Sequence, residues 1–263
     1  MGKRNRCLVM LLLWPLLAVL FMTACGEKEE KSYVYVAEKI PLPCESNTNE
    51  GFKARDGYLY YYEGNKAYRF SIAKLAENKN TLPEREEVFS GNDGDGLIYA
   101  YTVDQDGCGY YVLSAVAWQT GEVQSFVLVK QQADGAEEYR LDLKELNIDG
   151  ISSLAADGSG RAFLWTGELL CVVDAEGKLI ARIPGSRLGV EYYGFDSQLL
   201  EGEDGSIYFY QYIHTNIVYE ISGSNEDFRS EAVQTKRIAF PCITGICYSA
   251  PQGLLCAGKD DLL

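Results

Sequence analysis

From about residue 50 onward, apolar positions fall in runs of four to eight residues separated by Asp-Gly or Glu-Gly, and helical periodicity is almost absent. Runs of that length, rich in Tyr, Val, Ile, Leu and Phe and bounded by turn dipeptides, predict short β-strands joined by tight hairpins. One segment departs from the pattern. SIAKLAEN, residues 71–78, predicts a short helix as an excursion from the first unit.

The turns recur at a fixed interval. Gly57, Gly107, Gly158, Gly205 and Gly253 each sit between one predicted strand and the next, spaced about 50 residues apart. The third unit shows the internal order most clearly: GISSLAA, GRAFLW, ELLCVVD and KLIARI are four short strands joined by hairpins. Four antiparallel strands per unit make a propeller blade, and the fold class expected is all-β, a β-propeller of four-stranded antiparallel blades. The physical reason is burial. A lone four-stranded sheet leaves both faces wet, whereas sheets stacked radially cover each other and leave only short edges. The first strand of each unit is expected to line the axis, the second and third to form the core between blades, and the fourth to be the polar rim. A β-sandwich also yields alternating strands, but it does not require the same unit to return at a fixed interval. Residues 50–263 hold about four complete units and a fifth that stops after its second strand, so the expectation is an incomplete propeller, the beginning of a longer protein.

The N-terminus reads differently. Lys3, Arg4 and Arg6 precede the apolar run CLVMLLLWPLLAVLFM, which Pro15 interrupts and Thr23-Ala24-Cys25-Gly26 closes, the organisation of a secretory leader rather than a membrane-spanning helix. Met22-Thr23-Ala24-Cys25 resembles the bacterial lipobox, with Met22 where leucine is usual. The resemblance implies that residues 1–24 are removed and that Cys25 is lipidated. The competing reading is an ordinary cleaved leader with an incidental cysteine. The domains expected are therefore a lipoprotein signal peptide over 1–24, a lipidated N-terminus and linker over 25–49, and the partial propeller over 50–263. Two acyl chains hold a protein firmly on a bilayer, so the chain is expected outside the cytoplasm, anchored to the cell membrane through Cys25.

Charge narrows the partners. The formal net charge is −14, and losing three basic residues with the leader makes it more negative. Such a surface repels phosphate backbones, and nucleic acid is not an expected partner. Cys44, Cys108, Cys171, Cys242, Cys247 and Cys256 remain for pairing; six cysteines allow 15 connectivities and the spacing selects none. There is no C-x-x-C spacing to suggest zinc, and the bland reading is buried free thiols in strands.

Catalytic and metal chemistry find little support. His214 is the single histidine, and although Thr215 and Ser222 lie near it in sequence, no G-x-S-x-G elbow accompanies it. Asp93 and Asp95 in GNDGDGLIY are calcium candidates, but the fifth and twelfth loop positions hold Leu97 and Asp104 where an EF-hand needs a ligand and a glutamate. Glu201, Glu203 and Asp204 share one turn, whereas glycosidase carboxylates face each other across a cleft. No enzyme activity, cofactor or metal is expected. The 19 tyrosines can stack on sugars, yet most sit in runs such as YLYYY and YFYQY that must pack between blades.

The lipobox and its charged spacer CGEKEEKSYVYVAEKIPLP, followed by DGYLYYY, ADGSGRAFLW, LCVVDAEGKLIARI and EDGSIYFYQY, together resemble the N-terminal region of large clostridial lipoproteins. In that family a propeller precedes an extracellular solute-binding domain serving an ABC importer. The resemblance implies a cell-surface, non-catalytic binding or scaffolding module associated with import, of carbohydrate above all. Its implied partners are an ABC permease and a small-molecule solute, both engaged through a C-terminal two-lobed domain absent here. The alternative is a stand-alone propeller that binds a protein or a cell-wall polymer.

Overall fold

The computed structural model describes residues 52–77, 84–92, 94–189, 197–202, 206–211, 217–239, 245–249 and 253–257. The chain divides into two units, Met1–Lys39 and Ile40–Leu263, and every described residue lies in the second.

Four antiparallel four-stranded sheets follow one another in chain order, each with its strands in sequential order. Blade 1 is β1 (Lys53–Arg55), β2 (Tyr58–Glu63), β3 (Lys66–Ser71) and β4 (Glu86–Ser90). Blade 2 is β5 (Leu97–Val103), β6 (Gly109–Val116), β7 (Val123–Gln131) and β8 (Glu137–Asp142). Blade 3 is β9 (Ser153–Ala156), β10 (Ala162–Trp165), β11 (Leu169–Val173) and β12 (Leu179–Pro184), and blade 4 is β13 (Ser197–Glu201), β14 (Ile207–Gln211), β15 (Ile217–Ser222) and β16 (Gln234–Ala239). A two-stranded sheet, β17 (Gly245–Ser249) and β18 (Gly253–Ala257), comes last. The first strands adjoin in succession, β1 with β5, β5 with β9, β9 with β13 and β13 with β17. Sheets meeting through their first strands, with fourth strands outermost, are the blades of a β-propeller. The expected helix is present as α1 (Ile72–Glu77); α2 (Asn225–Arg229), started by a Ser224–Asp227 capping box, was not expected.

Each blade buries both faces, which is why its inner strands read as nearly continuous apolar runs. In β6, Tyr110 and Val112 join a cluster with Leu154, Leu164 and Val173 of blade 3. Their neighbours Tyr111 and Leu113 join one with Tyr60 and Phe89 of blade 1. In β11, Leu170 and Val172 face blade 4, packing with Phe209 and Tyr219, while Cys171 and Val173 face blade 2. Alternate residues of one strand thus serve two interfaces. The rim is polar as expected: β8 and β16 alternate exposed and half-buried positions and carry Glu137, Arg140, Lys236 and Arg237, charges that blunt an open sheet edge.

The corner turns repeat in atomic detail. Asp104, Asp157 and Asp174 each open a five-residue hairpin. In each, the aspartate Oδ1 accepts the backbone N–H four residues on, from Cys108, Arg161 and Lys178, and a glycine at φ +80° sits third after the aspartate. The glycine equivalent to Gly107 is therefore Gly160, two residues beyond the Gly158 that the spacing selects. Gly205 lies outside the described residues, although the Gly202 N–H donates to Ser206 O across the same corner. Gly253 opens β18 rather than lying in the turn.

Candidate functional site

Three places could serve as sites: the ends of the first strands, a recess between blades 2 and 3, and the exposed apolar side chains of blade 2. At the strand ends, Asp104 and Asp157 are almost fully buried, but their oxygens are committed to the fold. Asp104 accepts from the N–H groups of Asp106 and Cys108 and from the Tyr110 hydroxyl. Burial pushes its carboxyl above the usual range, against those hydrogen bonds. Asp157 accepts from Ser159 and from Arg161, whose guanidinium lies 2.5 Å away. Carboxylates so engaged hold turns rather than ligands. Glu201 accepts from Arg55 Nη2 at 2.9 Å, and Gln105 Nε2 donates to Gly202 O at 3.1 Å. The recess, of about 380 Å³, is lined by Asn147, Asp149, Thr166, Leu169 and Arg182, and the Arg182 guanidinium donates to the Leu146 carbonyl.

The blade 2 surface is the feature that the fold does not consume. Leu97 is 63% exposed, Tyr99 48%, Val116 52% and Trp118 100%. Leu97 and Val116 lie towards the same end of the β5–β6 pair: Leu97 pairs with Ser114, and Val116 lies two residues beyond, paired with Val123. Gly96 sets this junction. At φ +91° it lies so close to β6 that a Cβ there would fall 2.0 Å from the Ser114 carbonyl oxygen. Beyond Val116 the β6–β7 turn is closed by Ala117 N–H to Glu122 O and Gly121 N–H to Ala117 O, which leaves Trp118 projecting from it. Tyr99 is steadied from below by an edge-to-face contact with Phe126, centroids 5.5 Å apart. Arg140 of β8 bridges Asp95 and Glu137. An exposed indole and an exposed phenol, each with a hydrogen-bonding edge, therefore stand on the same blade as two exposed aliphatic side chains. Such surfaces take up ligand faces by stacking and apolar contact.

Cys25, Cys44, Asp93, Glu203, Asp204, His214, Thr215 and Cys242 lie outside the described residues. Asp95 spends its carboxylate on Arg140 and on the Asn92 N–H. Among the described residues no group of three or more His, Cys, Asp or Glu is placed to hold a metal ion. Cys108 and Cys171 are free thiols, and burial raises both above the usual thiol range, Cys171 to about 11. Tyr60, Tyr61, Tyr208 and Tyr210 are buried, so the tyrosine runs are core. Trp118 and Tyr99 escaped the sequence reading because both fall in runs that resemble core strands. A usable signal was present: AVAWQTGE places the tryptophan next to a Gln-Thr-Gly turn, past the last residue a strand can bury.

No protein-family model and no curated protein matches the chain. Solved structures do. A protein of unknown function from Bacteroides caccae shares 7% identity over 76% of this chain and 61% of its own, with a TM-score of 0.40. An auxiliary nutrient binding protein from Bacteroides ovatus shares 12% over 79% of this chain and 43% of its own, TM-score 0.42. The C-terminal WD40 domain of Sif2 shares 13% over 78% of this chain and 52% of its own, TM-score 0.37. The chain spans less than two thirds of each of these proteins.

Proposed function

We propose that this chain is a non-catalytic binding module held at the outer face of the cytoplasmic membrane by a lipid on Cys25. On this reading it is the leading part of a solute-binding lipoprotein that works with an ABC permease, with carbohydrate as the solute class. The observation that carries the binding role is the exposure of Leu97, Tyr99, Val116 and Trp118 on a blade whose other large apolar side chains are mostly buried. The leader and lipobox support the address, and the clostridial likeness of the whole mature sequence supports the link to import.

Two experiments test the parts separately. Cys25→Ser releases the protein from a carbonate-washed membrane fraction; a variant that stays bound refutes the anchor. For binding, removal of the leader leaves Trp118, fully exposed, and Trp165, fully buried, as the tryptophans. Titration with soluble oligosaccharides is expected to quench and blue-shift the exposed emission, and Trp118→Phe to abolish the response. A response that survives Trp118→Phe, or none with any oligosaccharide, rejects this surface as the sugar contact. The import role further expects a two-lobed α/β domain encoded downstream of Leu263.

A further inference from the structure

The recess between blades 2 and 3 is walled by separate chain segments. The β8–β9 connection supplies Asn147, Ile148 and Asp149, the β10–β11 turn supplies Thr166, and the paired strands β11 and β12 supply Leu169 and Arg182. Hydrogen bonds fix each of them. Asn147 N–H donates to Lys144 O, Ile148 N–H to Leu143 O and Thr166 N–H to Leu169 O, while the Arg182 guanidinium donates to Leu146 O and so joins blade 3 to the connection. Ile148 belongs to the apolar cluster shared by blades 2 and 3, and half-buried Leu169 packs against it. At about 380 Å³ the recess falls within the size range of small-ligand sites, roughly 300–1,000 Å³.

The fold leaves three polar side chains of this lining unspent. Among the described residues the side chains of Asn147 and Asp149 have no hydrogen bond or ion pair, and half-buried Arg182 has no carboxylate partner. The Thr166 hydroxyl differs, since it accepts from the Leu169 N–H of its own turn. We propose that the recess binds a neutral sugar ring, through Asn147, Asp149 and Arg182. One carboxylate and one guanidinium share the lining, so a ligand with a single net charge of either sign meets a like charge there. Sugar hydroxyls escape that conflict because each both donates and accepts. They give to Asp149, receive from Arg182 and do both with the Asn147 amide, while the C–H face of the ring covers Leu169. This assignment rests on the carbohydrate reading above and places a sugar contact apart from Trp118.

The test is isothermal titration calorimetry of the full chain in detergent with glucose, galactose, mannose and xylose, and with glucuronate and alanine as charged controls. Wild type is compared with Asp149→Ala, Asn147→Gly and Trp118→Phe. Asn147 sits at φ +53°, which glycine adopts freely, and Asp149 is exposed, so both recess variants are expected to keep the wild-type urea midpoint. A neutral sugar is expected to bind wild type, Asp149→Ala and Asn147→Gly each to weaken it about tenfold or more, and Trp118→Phe to leave that binding unchanged. Sugar binding that is lost in Trp118→Phe and unaffected by both recess variants overturns the proposal and leaves the carbohydrate reading standing. Tighter binding of glucuronate or alanine than of any neutral sugar overturns it as well, and no heat with any sugar overturns both readings. Should Asn147→Gly fail to fold, Asp149→Ala decides alone: unchanged affinity in that variant sinks the recess as the site.

Discussion

Trp118 and Trp165 show how little residue type alone says about role. Trp165 is fully buried between blades 3 and 4, edge-on to Phe209 with ring centroids 4.6 Å apart, and its truncation opens a cavity that rigid sheets on both sides cannot close. Trp165→Ala is expected to cost about 3–5 kcal/mol. Trp118 is fully exposed, and Trp118→Ala is expected to stay within about 0.5 kcal/mol of wild type. Chemical denaturation of both variants checks the pair. A large loss from Trp118→Ala would mean that the indole packs on something and is not free to meet a ligand. Both tryptophans end apolar runs in the sequence, AVAW and AFLW, and only the pairing distinguishes them: Trp165 lies opposite Leu170 within its sheet, while Trp118 has passed into the turn.

At the scale of elements, the Asp-x-x-Gly hairpins are the recurring device, and their differences are informative. Asp157 binds the Arg161 guanidinium, which also donates to Gly223 O of blade 4 and lies 4.9 Å from the centre of the Phe228 ring. The corner of one blade thereby becomes a staple to the next. Asp174 makes the same turn, but its cation is the half-exposed Arg229 at 3.6 Å. Asp157→Ala strands a buried guanidinium and is expected to cost about 3–5 kcal/mol. Asp174→Ala loses a turn hydrogen bond and an exposed pair, about 1–2 kcal/mol. Equal losses in urea titrations of the two variants would show that the staple adds nothing beyond the turn. The spacing of the corners was legible in the sequence because glycine alone suits φ +80° in each. The register of Gly160 against Gly107 was not, since ADGSG offers two glycines and only the strand pairing selects between them.

For the whole molecule, the apolar core is distributed over successive interfaces rather than gathered in one place. Blades 1 and 2, 2 and 3, and 3 and 4 each share a cluster, and alternate residues of one strand contribute to two of them. A stack of this kind loses cooperativity from an end unless something ties the ends to the middle. The Arg55–Glu201 and Gln105–Gly202 contacts do so. The sequence by itself determined the four-strand unit, its repeat near 50 residues, the order of strands from axis to rim and the aromatic content of the core, because period-2 alternation and turn glycines are local properties of the chain. Only the tertiary structure decided that Asp104 and Asp157 are spent on turns, that Glu201 meets Arg55, and that Leu97, Tyr99, Val116 and Trp118 are left exposed. Those facts depend on which strands lie side by side, and proximity between residues as far apart as 55 and 201 leaves no trace in local pattern.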